Sequence, residues 1–182
     1  MNEQHTKQHT EKQVSPALDV PADLIKQPSE EVVEVAEVKL SPRTQSRHLA
    51  LQALYQWMLN QQELYLIEKQ FSEEGWLSGC DRDWFRELIR EVVAQSEALD
   101  EVYAVMLDRS IKMVNPVERT ILRIAVYELQ TQMQIPYKVV INEAVELAKT
   151  FGAEDAHKYI NGILDKIAKQ LRPLEFQAPA AS

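Results

Sequence analysis

The chain has 182 residues, a net charge of −8 and 45% hydrophobic residues, the makeup of one soluble globular domain plus a tail. Four glycines are too few for a β-rich fold full of tight turns, and a single cysteine, Cys80, excludes an internal disulfide and any multi-cysteine zinc site. The absence of an apolar run of about 18 residues excludes a spanning helix, and the polar N-terminus carries no secretory signal, which points to a cytoplasmic setting.

Residues 1–40 read as a disordered acidic arm, with four Lys against eight Asp/Glu and with Pro16, Pro21 and Pro28 as punctuation. His5 and His9 have no thiol or carboxylate cage nearby and read as solvated, not as metal ligands. The run from Ser29 admits a short acidic helix. Ser41-Pro42 then starts a helix, with a hydroxyl at the N-cap and a proline at N1; Leu49, Ala50, Ala53, Leu54, Trp57 and Met58 form its core stripe. A second helix is expected from Leu64 to Glu74 and a loop from Gly75 to Cys80. Asp81 caps a long third helix reaching Met106. Asn115-Pro116-Val117-Glu118 is a further start signal. Pro136 opens a helix that stops at Gly152, a C′ glycine. Asp155 caps the last helix, which ends before Pro173. The reading is an all-α domain of about six helices over residues 41–173, followed by a disordered C-terminal tail from 174 to 182.

The segment from Phe151 to Lys166 crowds acids, a histidine and a lysine together, yet it does not read as an active site. Asp155 and His157 are two positions apart and point to different helix faces, and Asp165 with Lys169 is an i,i+4 surface pair. None of the sequence motifs of phosphate-binding loops, nucleophile elbows or zinc proteases occurs. No catalytic residue, metal or cofactor is expected.

Binding leaves clearer marks. Arg43, Arg47, Leu51 and Tyr55 recur every four residues and share a helix face. Two arginines in the first turns oppose the helix dipole at about 0.3 kcal/mol each. An anionic ligand offsets that cost, and cations followed by an aromatic suit single-stranded RNA. An ordinary solvated face, with Tyr55 covering the core edge, accounts for the same spacing. Phe151 and Tyr159 flank a helix start whose free N–H groups suit a phosphate, although packing alone also explains such rings.

The stretch "YKVVINEAVELAKTFGAEDAHKYINGILDK", together with "ALYQW", "VERTILRIAVYEL" and "IPYK", closely resembles the NusB family of bacterial transcription antitermination factors, from about Ser41 to Pro173. The resemblance implies an all-helical, non-enzymatic RNA-binding protein. It implies pairing with the ribosomal protein NusE, recognition of single-stranded boxA RNA in the leaders of ribosomal RNA operons, and assembly with other Nus factors on RNA polymerase. By matching position, Arg43 and Arg47 fall in the family's basic segment, and Tyr55, Phe151, Asp155 and Tyr159 fall where the family contacts RNA. Lys112, Glu118 and Tyr137 fall in the region facing NusE. The family's arginine run is thinned here to "SPRTQSRH", which implies fewer phosphate contacts and leaves a protein-interaction adaptor with little intrinsic RNA affinity as the second reading.

Overall fold

A computed structural model describes residues 40–177, so the acidic arm, His5, His9 and the helix expected near Ser29 lie outside the described residues, as do residues 178–182. The described chain is helical throughout: α1 Pro42–Asn60, α2 Leu64–Glu73, α3 Arg82–Ala94, α4 Ser96–Ala104, a 3₁₀ turn Ile111–Met113, α5 Pro116–Thr131, α6 Tyr137–Phe151, α7 Ala156–Leu171 and α8 Pro173–Gln177. None of these helices is long and apolar enough to cross a membrane.

Three starts follow from local chemistry. The Ser41 hydroxyl accepts from the Thr44 N–H at 3.1 Å, the Asp81 carboxylate from Trp84 at 3.0 Å, and the Asn115 side chain from Val117 at 2.9 Å. Each satisfies a backbone donor that the first helical turn leaves unpaired.

The all-α expectation holds, with eight α-helices in place of about six. The long helix expected after Asp81 breaks at Gln95, whose backbone (φ −109, ψ 13) leaves the helical range. The break turns α4 so that Leu99 and Tyr103 enter the core while Asp100 reaches α5. Pro173 ends α7 as expected, but the chain beyond it forms α8. Glu175 anchors α8 by accepting from the Tyr137 N–H at 3.0 Å and from Arg172 at 2.6 Å, and the Phe176 ring stacks on Tyr137 at 4.2 Å.

Helix α5 is the central element, buried on every side from Thr120 to Leu129 and flanked by α1, α4, α6 and α7. Its C-terminus is closed by Arg172, the residue after α7. That guanidinium donates to the carbonyls of Glu128, Leu129, Gln132 and Ile135 at 2.6–3.1 Å, adding a second donor to Glu128 and Gln132 and partnering Leu129, which the helix end leaves open.

α6 stops at Gly152 as expected, with an extended backbone there (φ −84, ψ 171). Space explains the glycine: a Cβ there would meet Ala148 O at 2.6 Å and Ala156 Cβ at 2.8 Å, so only glycine lets α7 start so close to the end of α6.

Candidate nucleic-acid interface

The expected cation stripe on α1 splits at its second member. Arg47 is not a surface cation: its side chain is 4% exposed and forks onto Glu128 of α5, with Nη2–Oε1 at 2.6 Å and Nε–Oε2 at 2.9 Å; Nη1 lies 3.5 Å from Glu143 of α6. Burial alone would lower its pKa, but Glu128 and Glu143 more than offset this and the pKa rises. Arg47 ties three helices together and offers nothing to a phosphate. The reason is packing: α1 lies against α3, α5 and α6 at once, so its buried arc is wider than one apolar stripe and also takes in Ser46. A signal was present in α5, where Glu128 is the one acid inside the mostly apolar run Ile121–Leu129 and demands a cation.

Arg43 remains half exposed. Its guanidinium lies 5.1 Å from the centroid of Trp84, and its Nε sits 3.4 Å from Asp81. It therefore faces α3. Five residues on, about 140° around the helix, His48 faces α6, where Phe151 packs edge-on against it at 5.4 Å. Burial lowers the His48 pKa. The groove beside His48 is acidic: Thr44 donates to Glu143 at 3.0 Å, and Glu146 lines the same cleft. Tyr55 lies two turns beyond His48 on the same stripe of α1, half-buried against the core.

The helix pairing brings the remaining residues toward one end of the molecule. Thr44 meets Glu143 and His48 meets Phe151, so α1 and α6 run parallel. Tyr55 lies about 10 Å farther along α1, past the level of Phe151 where α6 ends, and Asp155 and Tyr159 lie at the start of α7. Asp155 does not cap that helix with its side chain. It adopts a left-handed backbone (φ 64), and its carboxylate instead takes Lys158 Nζ at 2.8 Å.

Tyr159 has a neighbour that sequence reading missed. Arg109, from the connection after α4, lies 5.0 Å from the centroid of its ring, and the Tyr159 hydroxyl donates to Asp108 at 3.3 Å. Asp108 also receives Arg109 Nε at 2.8 Å and Nη2 at 3.1 Å, and this hydrogen bonding holds its pKa below the usual carboxylate range. No local pattern signals the cluster, because residues 108 and 159 meet only through the packing of α4 against α7.

The three residues expected to face a protein partner do not form one patch. Lys112, on the 3₁₀ turn, and Glu118, in the first turn of α5, sit at the start of that helix. Glu118 is close enough to Arg109 and Tyr159 to raise the pKa of both. Tyr137 follows the opposite end of α5, about 20 Å away along the axis, and α8 covers part of it.

The same helical core and signature recur in known proteins. The NusB family model matches residues 44–169. A transcription antitermination protein NusB from Hydrogenovibrio crunogenus is 58% identical over 139 residues, covering 76% of this chain and 86% of the relative. Among solved structures, T. maritima NusB aligns with a TM-score of 0.66 at 31% identity, over 75% of this chain and 98% of its own. A structure of the antitermination factors NusB and NusE in complex with dsRNA aligns at 0.64 and 29% identity, over 70% of this chain and 96% of the matched one. With the signature, the all-helical fold and these matches in agreement, the chain belongs to the NusB family.

Proposed function

We propose that this transcription antitermination factor binds single-stranded boxA RNA from ribosomal RNA operon leaders together with the ribosomal protein NusE. The pair then joins other Nus factors on RNA polymerase. The observation that carries the reading is the corner where α6 meets α7. It offers the partly buried rings of Phe151 and Tyr159, with Arg109 beside Tyr159. Flat rings beside a cation suit unstacked bases joined by phosphates. The likeness to a solved structure of NusB and NusE in complex with dsRNA supports RNA and NusE as the kinds of partner. Glu118, at the start of α5, acts on Tyr159, so a NusE surface there would adjoin the RNA face. Tyr137 would then serve the NusE surface only at its far margin. Arg43 is the remaining phosphate contact on α1, and Arg47 leaves the contact set.

The adaptor reading gains support from one observation: Arg47 is sequestered and Arg43 is already held by Asp81, so both arginines of α1 are engaged within the chain. We therefore expect intrinsic RNA affinity to be low and NusE to raise it. Titrating labelled boxA RNA with the chain alone and with NusE, at two salt concentrations, tests this. Retention by the pair, weakening with salt, supports the reading; no retention by the pair at low salt refutes it.

A further inference from the structure

The Asp108–Arg109–Tyr159 cluster has the composition of a bound phosphate site with the phosphate supplied from within. Arg109 presents a forked donor face, and the Tyr159 hydroxyl adds a third donor directed at the same oxygen that takes Arg109 Nε. Arginine forks suit phosphate oxygens as well as carboxylates. The group they hold is the carboxylate of the adjacent residue, at the surface, with the Arg109 and Asp108 side chains 51% and 64% exposed. An ion pair this wet is only marginally favourable, because water competes for both charges. A stronger anion that also stacks a base on the Tyr159 ring can therefore replace it.

We propose that Asp108 is an internal stand-in for an RNA phosphate, occupying Arg109 in the free chain and giving way when a nucleotide docks beside Tyr159. The inference rests on the RNA-binding reading above and goes beyond it by assigning Arg109 as a contact and Asp108 as its competitor. Competition of this kind penalises stray anions, which gain too little to displace the carboxylate. A strand that brings both phosphate and base overcomes it.

The test is a titration of fluorescein-labelled single-stranded boxA RNA with the full chain and NusE, over a salt series, using Asp108→Asn, Arg109→Ala, the double variant and Arg43→Ala. Asp108→Asn should bind about three-fold tighter at low salt. Arg109→Ala should bind more weakly and flatten the log–log salt slope by about 0.7, the value for one lost phosphate contact on a single strand. In the double variant the gain should vanish. A gain retained without Arg109 overturns the proposal, since relief of general repulsion would then suffice. If Asp108→Asn and Arg109→Ala leave binding unchanged while Arg43→Ala weakens it, the internal competitor is refuted and the RNA reading stands. If no variant, Arg43→Ala included, changes binding, both fall.

Discussion

Arg47 with Glu128 and Arg109 with Asp108 are both arginine forks on a carboxylate, and their surroundings give them opposite roles. The first pair joins α1 to α5 with side chains 4% and 2% exposed, where neither charge can return to water. The second joins adjacent residues at more than half exposure, where either partner can be exchanged. Buried, the fork is a structural tie whose loss strands an ion; wet, it is a replaceable contact. Two arginines that look alike in sequence therefore differ in kind: one is fixed by packing, and the other is free to change partner.

Removing one side of the buried tie should have the largest effect. Arg47→Ala leaves Glu128 without its counter-ion and should destabilise the chain by about 3–5 kcal/mol in urea unfolding. Pairing Arg47→Met with Glu128→Leu should recover most of that loss. A loss below about 1 kcal/mol in the single variant would break the contrast.

Asp100 is a second buried anchor and comes next. It accepts from Arg123 at 2.7 Å, from Tyr103 at 2.5 Å and from Arg119. Burial alone would raise its pKa, but these donors outweigh burial and the pKa falls below the ordinary value. The stabilisation is therefore present above the unfolded carboxyl pKa near 3.9 and is lost as pH falls through the lower folded value. Asp100→Asn should cost about 2 kcal/mol at pH 7 and should reduce the dependence of the urea midpoint on pH below about 4.

Packing at the α6–α7 corner gives a smaller effect. Gly152→Ala forces a methyl against Ala148 O and Ala156 and should cost about 1–3 kcal/mol by thermal unfolding. It should also weaken RNA binding, because the start of α7 shifts. Smallest of all is Arg43→Ala, whose exposed contact with Asp81 should change stability by less than about 0.5 kcal/mol. Its signature should be a flattened RNA salt slope instead, which separates a recognition arginine from a structural one.

Much of the fold was legible because helix starts are written locally. Ser41, Asp81 and Asn115 each announce a cap within four residues, and the structure honours all three. The break at Gln95 carries no glycine or proline and depends on where α4 must lie to meet α5. α8 was illegible because Pro173 reads as a stop, and only Tyr137, some forty residues upstream, explains why the chain turns helical again. Asp155 has the chemistry of a cap, but the tight entry to α7 imposes a left-handed backbone that points its carboxylate elsewhere. The site was half legible for the same reason. The rings of Tyr55, Phe151 and Tyr159 could be named from their positions, but Arg47 was indistinguishable from Arg43 until its neighbours were known, and Arg109 had no local mark.

The clasp made by Arg172 has a temporal consequence. During synthesis α5 emerges long before the guanidinium that closes its last turn, and the Leu129 and Ile135 carbonyls must meanwhile turn to water. The central helix thus stays frayed at the α5–α6 turn until α7 docks, and the margin around Tyr137 takes shape last. A nascent chain would present its ring-bearing corner and its far margin at different moments, and only the finished one would offer both to a partner.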